Sequence, residues 1–202
     1  HSDTHSFPTR RSSDLQRFGL ENIDYAMPRR LTEGYGLNPE RVEQAATDGV
    51  GLLITVDNGI AAHAAAERAR ELGIDLIVTD HHALETTLPQ ALAVINPKRE
   101  PPAYPGADLC GAGVALKLAA ALNGTANDLD IAALGTVADI VPLLDENRVI
   151  VALGLRHMAK YERTGIAKLA AAAGVDLRSV SSEHIGFRSE ERRVGKECVS
   201  EC

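Results

Sequence analysis

Two short apolar runs, Gly51 to Val56 and Ile74 to Thr79, flank an alanine-rich stretch from Ile60 to Leu72 that stops at Gly73. Continuous apolar runs of strand length suit strands buried on both faces of a parallel sheet, and the alanine-rich segment is built of strong helix formers with a glycine stop. Strand, helix and strand within about 30 residues make a βαβ unit, whose right-handed crossover forces the two strands parallel. A short strand from Ile23 to Met27, closed by Pro28, and another from Ala91 to Ile95 extend the pattern. Asn38-Pro39-Glu40 reads as a helix start, with a capping side chain, proline at the first helical position and an acid in the first turn; that helix runs to about Asp48 and stops at Gly49. Beyond the proline-rich loop from Pro97 to Pro105, helices are predicted over roughly Ala112 to Leu122, Leu129 to Ala138, Glu146 to Tyr161 and Ile166 to Ala173. The second of these is apolar nearly all round and should be buried. The predicted class is α/β: a mainly parallel sheet with helices on both faces, followed by a helical extension.

With 202 residues, 45% of them hydrophobic, the chain is long enough for one sizeable core. No apolar stretch is long enough for a membrane helix, and no secretory leader is evident, so a cytoplasmic protein without a membrane partner is expected. A formal charge of -7 argues against a protein that coats nucleic acid through a broad basic field. Local basic pairs remain, Arg29-Arg30 and Lys98-Arg99, for which a solvated surface role is the alternative to binding. An odd count of 3 cysteines does not make a disulfide framework, and Cys110 reads as a small buried or half-buried residue.

The chemistry sits at the strand ends. Asp57 follows the first apolar run and Asp80-His81-His82 follows the second. Ligands of parallel sheets bind at the carboxyl ends of strands, and neighbours about 4.8 Å apart let a carboxylate and an imidazole reach one ion. A strand-end aspartate is also a common helix cap, so Asp57 alone carries little weight; two histidines after a second aspartate, joined to it by a βαβ unit, carry more. Asp139, at the end of the apolar helix and among Val137, Ala138, Ile140 and Val141, is a third candidate, because a carboxylate in such surroundings needs a cation, several donors or solvent. Carboxylates and imidazoles without thiolate suit manganese, magnesium or zinc.

Thr55-Val56-Asp57-Asn58-Gly59-Ile60, Asp80-His81-His82 and Gly135-Thr136-Val137-Ala138-Asp139-Ile140-Val141-Pro142-Leu143 resemble, in order and spacing, successive motifs of the DHH phosphoesterases, and within them the RecJ-type single-stranded-DNA exonucleases. Glu33 to Leu37, Asn96-Pro97 before Tyr104-Pro105, and Gly111 to Leu118 extend the resemblance over about residues 17 to 188. It implies a metal-dependent 5′-to-3′ exonuclease acting on single-stranded DNA in repair and recombination, with two Mn2+ or Mg2+ ions in the intact enzyme. Asp57 would bridge the ions, with His81 and Asp139 completing the shell of one. Of the catalytic pair, His82 would contact the scissile phosphate and Asp80 would orient the imidazoles. Arg30 would bind substrate phosphate, a single-strand-binding protein and a helicase would be partners, and Gly111 to Gly113 could offer N–H groups to a phosphate. The alternatives are a DHH phosphodiesterase of short oligonucleotides or cyclic dinucleotides, and a non-catalytic scaffold on the same fold.

Residues 1 to 15 and 189 to 202 lack apolar periodicity and resemble translated sequencing-adapter peptides, which divides the chain into a non-native segment (1–15), a partial DHH domain (16–188) and a second non-native segment (189–202). Native flexible tails are the alternative. On the adapter reading the family's first, aspartate-rich motif, expected before Ile23, is replaced, and the 202-residue chain should bind metal poorly and hydrolyse little.

Overall fold

The computed structural model describes residues 15–27, 36–99, 104, 106–160 and 163–186. Helix α1 (Pro39–Thr47) is followed by strand β1 (Leu52–Ile54), helix α2 (His63–Glu71) and strands β2 (Asp75–Thr79) and β3 (Ala93–Ile95). Helices α3 (Gly111–Asn123), α4 (Leu129–Ala138), α5 (Asp145–Lys160) and α6 (Thr164–Ala173) complete the described body. The three strands form one parallel sheet in the order β1-β2-β3, with Leu53 opposite Leu76 and Val78 opposite Val94. This is the expected α/β class with a helical extension.

Local chemistry accounts for several boundaries. Asn38 caps α1 by accepting the Arg41 N–H at 2.9 Å, and Pro39 takes the first helical position. Side chains of Leu76 and Val78, alternate residues on β2, share one face with Val42 from α1 and Ala65, Ala66 and Ala69 from α2. The small alanines let α2 lie close over the strands, and burying this cluster drives the βαβ unit together. A second core fills the extension, where Leu109, Val114, Leu116, Ala132 and Ile150 meet between α3, α4 and α5. Two glycines set that spacing: a methyl group on Gly135 would overlap Ala112 of α3, and one on Gly154 would overlap Ala133 of α4. Helix α4 is accordingly sunk among its neighbours, as its composition predicts.

Three expectations are corrected. Residues 23–27 form no strand: β1 is the edge of the described sheet, and among the described residues nothing pairs with them. Being an edge strand, β1 is also not buried on both faces: Leu52 is 42% exposed. Helix α2 begins at His63 rather than Ile60, because the chain is still turning there, with Ala62 at φ -85 and ψ 50 outside the helical region; the Ile60 N–H donates to the Asp80 carboxylate at 2.9 Å. Arg29, Arg30, most of Glu33 to Leu37, Cys198 and Cys202 lie outside the described residues. So do residues 1–14 and 187–202; of the first segment expected to be non-native only Leu15 is described, in a helical turn over 15–18.

Candidate metal centre at the strand ends

The two strand-end turns are stitched together before any side chain meets a ligand. Thr55 Oγ1 donates to the Asn58 carbonyl at 2.7 Å and Thr79 Oγ1 donates to the Thr55 carbonyl at 2.6 Å. The Asp57 N–H donates to the Thr79 carbonyl at 2.9 Å. These bonds turn the chain sharply after β1, leaving Asp57 in the left-handed region at φ 62 and Gly59 at φ 108. Any side chain at Gly59 would crowd Thr55 Oγ1 at 2.9 Å, which explains glycine there.

Asp80, 1% exposed, is spent on structure. Its Oδ2 accepts the Ile60 N–H, and its Oδ1 accepts the N–H of His81 at 2.7 Å, the N–H of His82 at 3.2 Å and a contact from His82 Nδ1 at 2.6 Å. Burial by itself would raise its pKa; the bonds from the His82 ring and from the backbone of Ile60, His82 and His81 outweigh it and hold the carboxyl below its ordinary value. Asp80 therefore fixes the ring of His82, whose side chain remains 59% exposed, and has no oxygen left over for a dedicated ligand.

His81 is the reverse case. The residue is 8% exposed, and its Nε2 lies 3.0 Å from Asp57 Oδ1 and 3.5 Å from Asp139 Oδ2. The Asp57 contact, then the Asp139 charge, raise the pKa of the imidazole against burial and the nearby Lys98 ammonium, which lower it. Yet Nε2 is a buried atom with no well-angled hydrogen bond; the 3.0 Å approach is a charge contact rather than an aligned bond. A buried nitrogen facing two carboxylates without a proper bond to either is how a ligand atom looks when its partner is a cation lying between them. Asp57, His81 and His82 each offer a ligand atom within 4.8 Å of the others.

Asp139 arrives from the extension. It caps the C-terminus of α4, where the helix dipole disfavours a carboxylate, and its side chain is part-exposed beside His81. The close seating of α4 on α3 through Gly135 and Ala112 brings it to the sheet edge. The turn continues with Ile140 at φ 56, a strained value for a β-branched residue.

All five predicted site residues within the described body thus meet at one edge: Asp57, His81 and Asp139 around Nε2, with Asp80 and His82 beside them. Arg30 lies outside the described residues. Sequence reasoning considered Gly111 only for its N–H and missed its packing: it is the first residue of α3, where a methyl group would overlap the Asp57 carboxylate. Gly111 is the seat on which Asp57 rests. Cys110 is buried as expected and also caps α3, its Sγ accepting the Gly113 N–H at 3.4 Å. Among the described residues no helix is long and apolar enough to cross a membrane.

Residues 11–139 match the DHH family, N-terminal domain. The match begins at residue 11, inside the first segment expected to be non-native. Over 180 residues the chain is 44% identical to the single-stranded-DNA-specific exonuclease RecJ of Bacillus subtilis, covering 88% of this chain and 23% of that protein. It is 42% identical over 191 residues to RecJ of Escherichia coli, covering 86% and 33% respectively. The chain therefore spans about a quarter to a third of the length of these relatives. Among solved structures, exonuclease RecJ bound to manganese superposes with a TM-score of 0.69 at 37% identity, over 80% of this chain and 42% of the other. RecJ from Thermus thermophilus in complex with Mn2+ gives 0.66 at 35% identity, over 74% and 23%.

Proposed function

The chain belongs to the DHH family, and from that premise we propose that it is the metal-binding part of a Mn2+- or Mg2+-dependent 5′-to-3′ exonuclease that hydrolyses phosphodiester bonds of single-stranded DNA in repair and recombination. The single observation that carries this is the buried His81 Nε2, held between Asp57 and Asp139 without an aligned partner. Two carboxylates and an imidazole fit a hard or borderline divalent ion, and relatives named as single-stranded-DNA-specific exonucleases cover the same residues. Asp57, His81 and Asp139 are the proposed ligands. Bound there, the ion supplies polarisation of a phosphoryl oxygen and a more acidic attacking water.

The chain's own groups do the rest. Asp80 holds His82 Nδ1, which leaves the other ring nitrogen of an exposed imidazole to contact the scissile phosphate and offset developing charge. Asp57 and Asp139 put negative charge against the site from two elements, so an anionic substrate is repelled until cations bind. Arg30 is the proposed substrate-phosphate contact on resemblance alone, as are a single-strand-binding protein and a helicase as partners; a cytoplasmic location is proposed on the sequence reading. Two carboxylates and one imidazole, the ligands proposed among the described residues, are a sparse set for two ions. The 202-residue chain by itself is therefore expected to bind Mn2+ weakly and hydrolyse little.

Grafting tests the activity directly. Residues 16 to 188 of this chain replace the matching segment of Bacillus subtilis RecJ, and the chimaera is given 5′-phosphorylated single strands with Mn2+. Loss of nucleotides from the 5′ end, abolished by Asp57→Ala, is expected. Faster cleavage of dinucleotides than of long strands would favour the short-oligonucleotide phosphodiesterase, and an inactive chimaera that still folds would favour the scaffold.

A further inference from the structure

Strand β3 is followed by Asn96-Pro97-Lys98, which turns back over the Asp80-His81-His82 segment. The buried Asn96 amide is used at both ends: Nδ2 donates to the His82 carbonyl at 3.0 Å and Oδ1 accepts the Lys98 N–H at 2.9 Å. Lys98 Nζ then donates to the His81 carbonyl at 2.7 Å. One residue earlier, the Asp80 N–H donates to the Ile95 carbonyl at 3.0 Å.

These contacts close a cage around three successive peptide units. The unit joining His81 to His82 has its carbonyl on Lys98 and its N–H on Asp80 Oδ1, so neither edge can rotate without losing a charge-assisted hydrogen bond. The carbonyl of His82 is fixed by the neutral Asn96 amide, and the N–H of His81 by Asp80. Asp80 alone would hold only the N–H side. A turn of adjacent histidines could then rotate its peptides and swap which ring faces Asp57 and Asp139.

We propose that Asn96 and Lys98 are positioning residues that clamp the two histidine carbonyls and so keep His81 aimed at the Asp57–Asp139 pair. The function of the clamp rests on the reading of that pair as an ion site. Asparagine is needed at 96 because its two ends must donate and accept at once; an aspartate would set an acceptor against a carbonyl. At 98 any cationic donor of sufficient length serves, so arginine should substitute where methionine does not.

The test measures amide hydrogen exchange by NMR and Mn2+ affinity by electron paramagnetic resonance on the 202-residue chain, comparing wild type with Asn96→Ala, Lys98→Met and Lys98→Arg. For Asn96→Ala and Lys98→Met, exchange at the His81 and His82 amides should accelerate about tenfold, the net effect expected of losing a side-chain hydrogen bond that holds the turn. Mn2+ affinity should fall about tenfold, as for other groups that orient ligands from behind, while exchange at Ile150 in the second core stays unchanged. Lys98→Arg should restore both. Because Lys98 is exposed, Lys98→Met remains informative if Asn96→Ala fails to fold. Wild-type exchange and Mn2+ affinity in both variants would overturn the clamp. Absence of Mn2+ binding in wild type, with the exchange effects intact, would instead overturn the ion reading on which its function rests.

Discussion

Asp57 and Asp80 occupy the same place in two neighbouring strands, yet the fold uses them in opposite ways. Asp80 is 1% exposed and its two oxygens take bonds from Ile60, His81 and His82. Asp57 has a side chain 52% exposed, a left-handed backbone and, among the described residues, one charge contact, to His81. The difference lies in the turn that succeeds each strand. After β2 the chain folds its own N–H groups back onto the carboxylate, whereas after β1 the Thr55 hydroxyl takes over the turn and leaves the Asp57 carboxylate facing outward. A saturated aspartate shapes a site; an unsaturated one can serve it.

The largest expected effect tests the saturated member. Asp80→Ala strands four donors in a buried turn and should cost about 3–5 kcal/mol of stability, read by denaturant unfolding. A loss below about 1 kcal/mol would mean that the turn is held from elsewhere. A smaller effect sharpens the unsaturated member. Gly111→Ala places a methyl group in the Asp57 carboxylate, so Mn2+ affinity should drop about tenfold while stability falls by about 1–3 kcal/mol. Equal affinity would show that Asp57 can ligate from another rotamer.

The smallest effect lies away from both turns and serves as a control. Lys117 pairs with Glu146 and lies 5.6 Å from the centre of the Tyr104 ring, while the Tyr104 hydroxyl donates to Glu146 at 2.7 Å, so α3 and α5 are tied at the surface. Burial would raise the Glu146 pKa, but Lys117 and Tyr104 outweigh it and hold it below its ordinary value; the Glu146 carboxylate, then Tyr104, hold Lys117 above its own. Glu146 thus adds stability above its ordinary pKa that is lost as pH falls through the depressed one. Lys117 adds stability below its ordinary pKa that is lost as pH rises through the raised one. Partial exposure limits the tie to under about 1 kcal/mol. Thermal melts of wild type and Glu146→Gln should differ at neutral pH and converge at the acid end, with Mn2+ binding the same in both.

Much of this was legible in the residues because it depends on neighbours in sequence. The Asn38-Pro39 cap, the stop at Gly73 and the apolar period of α4 each put an element within a few residues of where it lies. The meeting of Asp57, His81 and Asp139 followed from the βαβ rule and the motifs together. Long-range contacts were not legible. Nothing local reveals that Ile60 spends its N–H on a residue 20 positions away, or that Gly111 is small for the sake of Asp57. A strand at 23–27 looks plausible by composition but needs a partner, which the described sheet does not provide. Which of two adjacent histidines faces the acids depends on turn geometry fixed by Asn96 and Lys98, another pairing at a distance.

The central claim is that Asp57 serves an ion and Asp80 serves the fold. Titrating Mn2+ into wild type and Asp57→Ala, while following the thermal midpoint, tests it most directly. Weak saturable binding and a rising midpoint are expected for wild type, and for Asp57→Ala a metal-free stability within about 1 kcal/mol of wild type with no response to Mn2+. Equal Mn2+ binding by both chains, or a collapse of Asp57→Ala without metal, would contradict it.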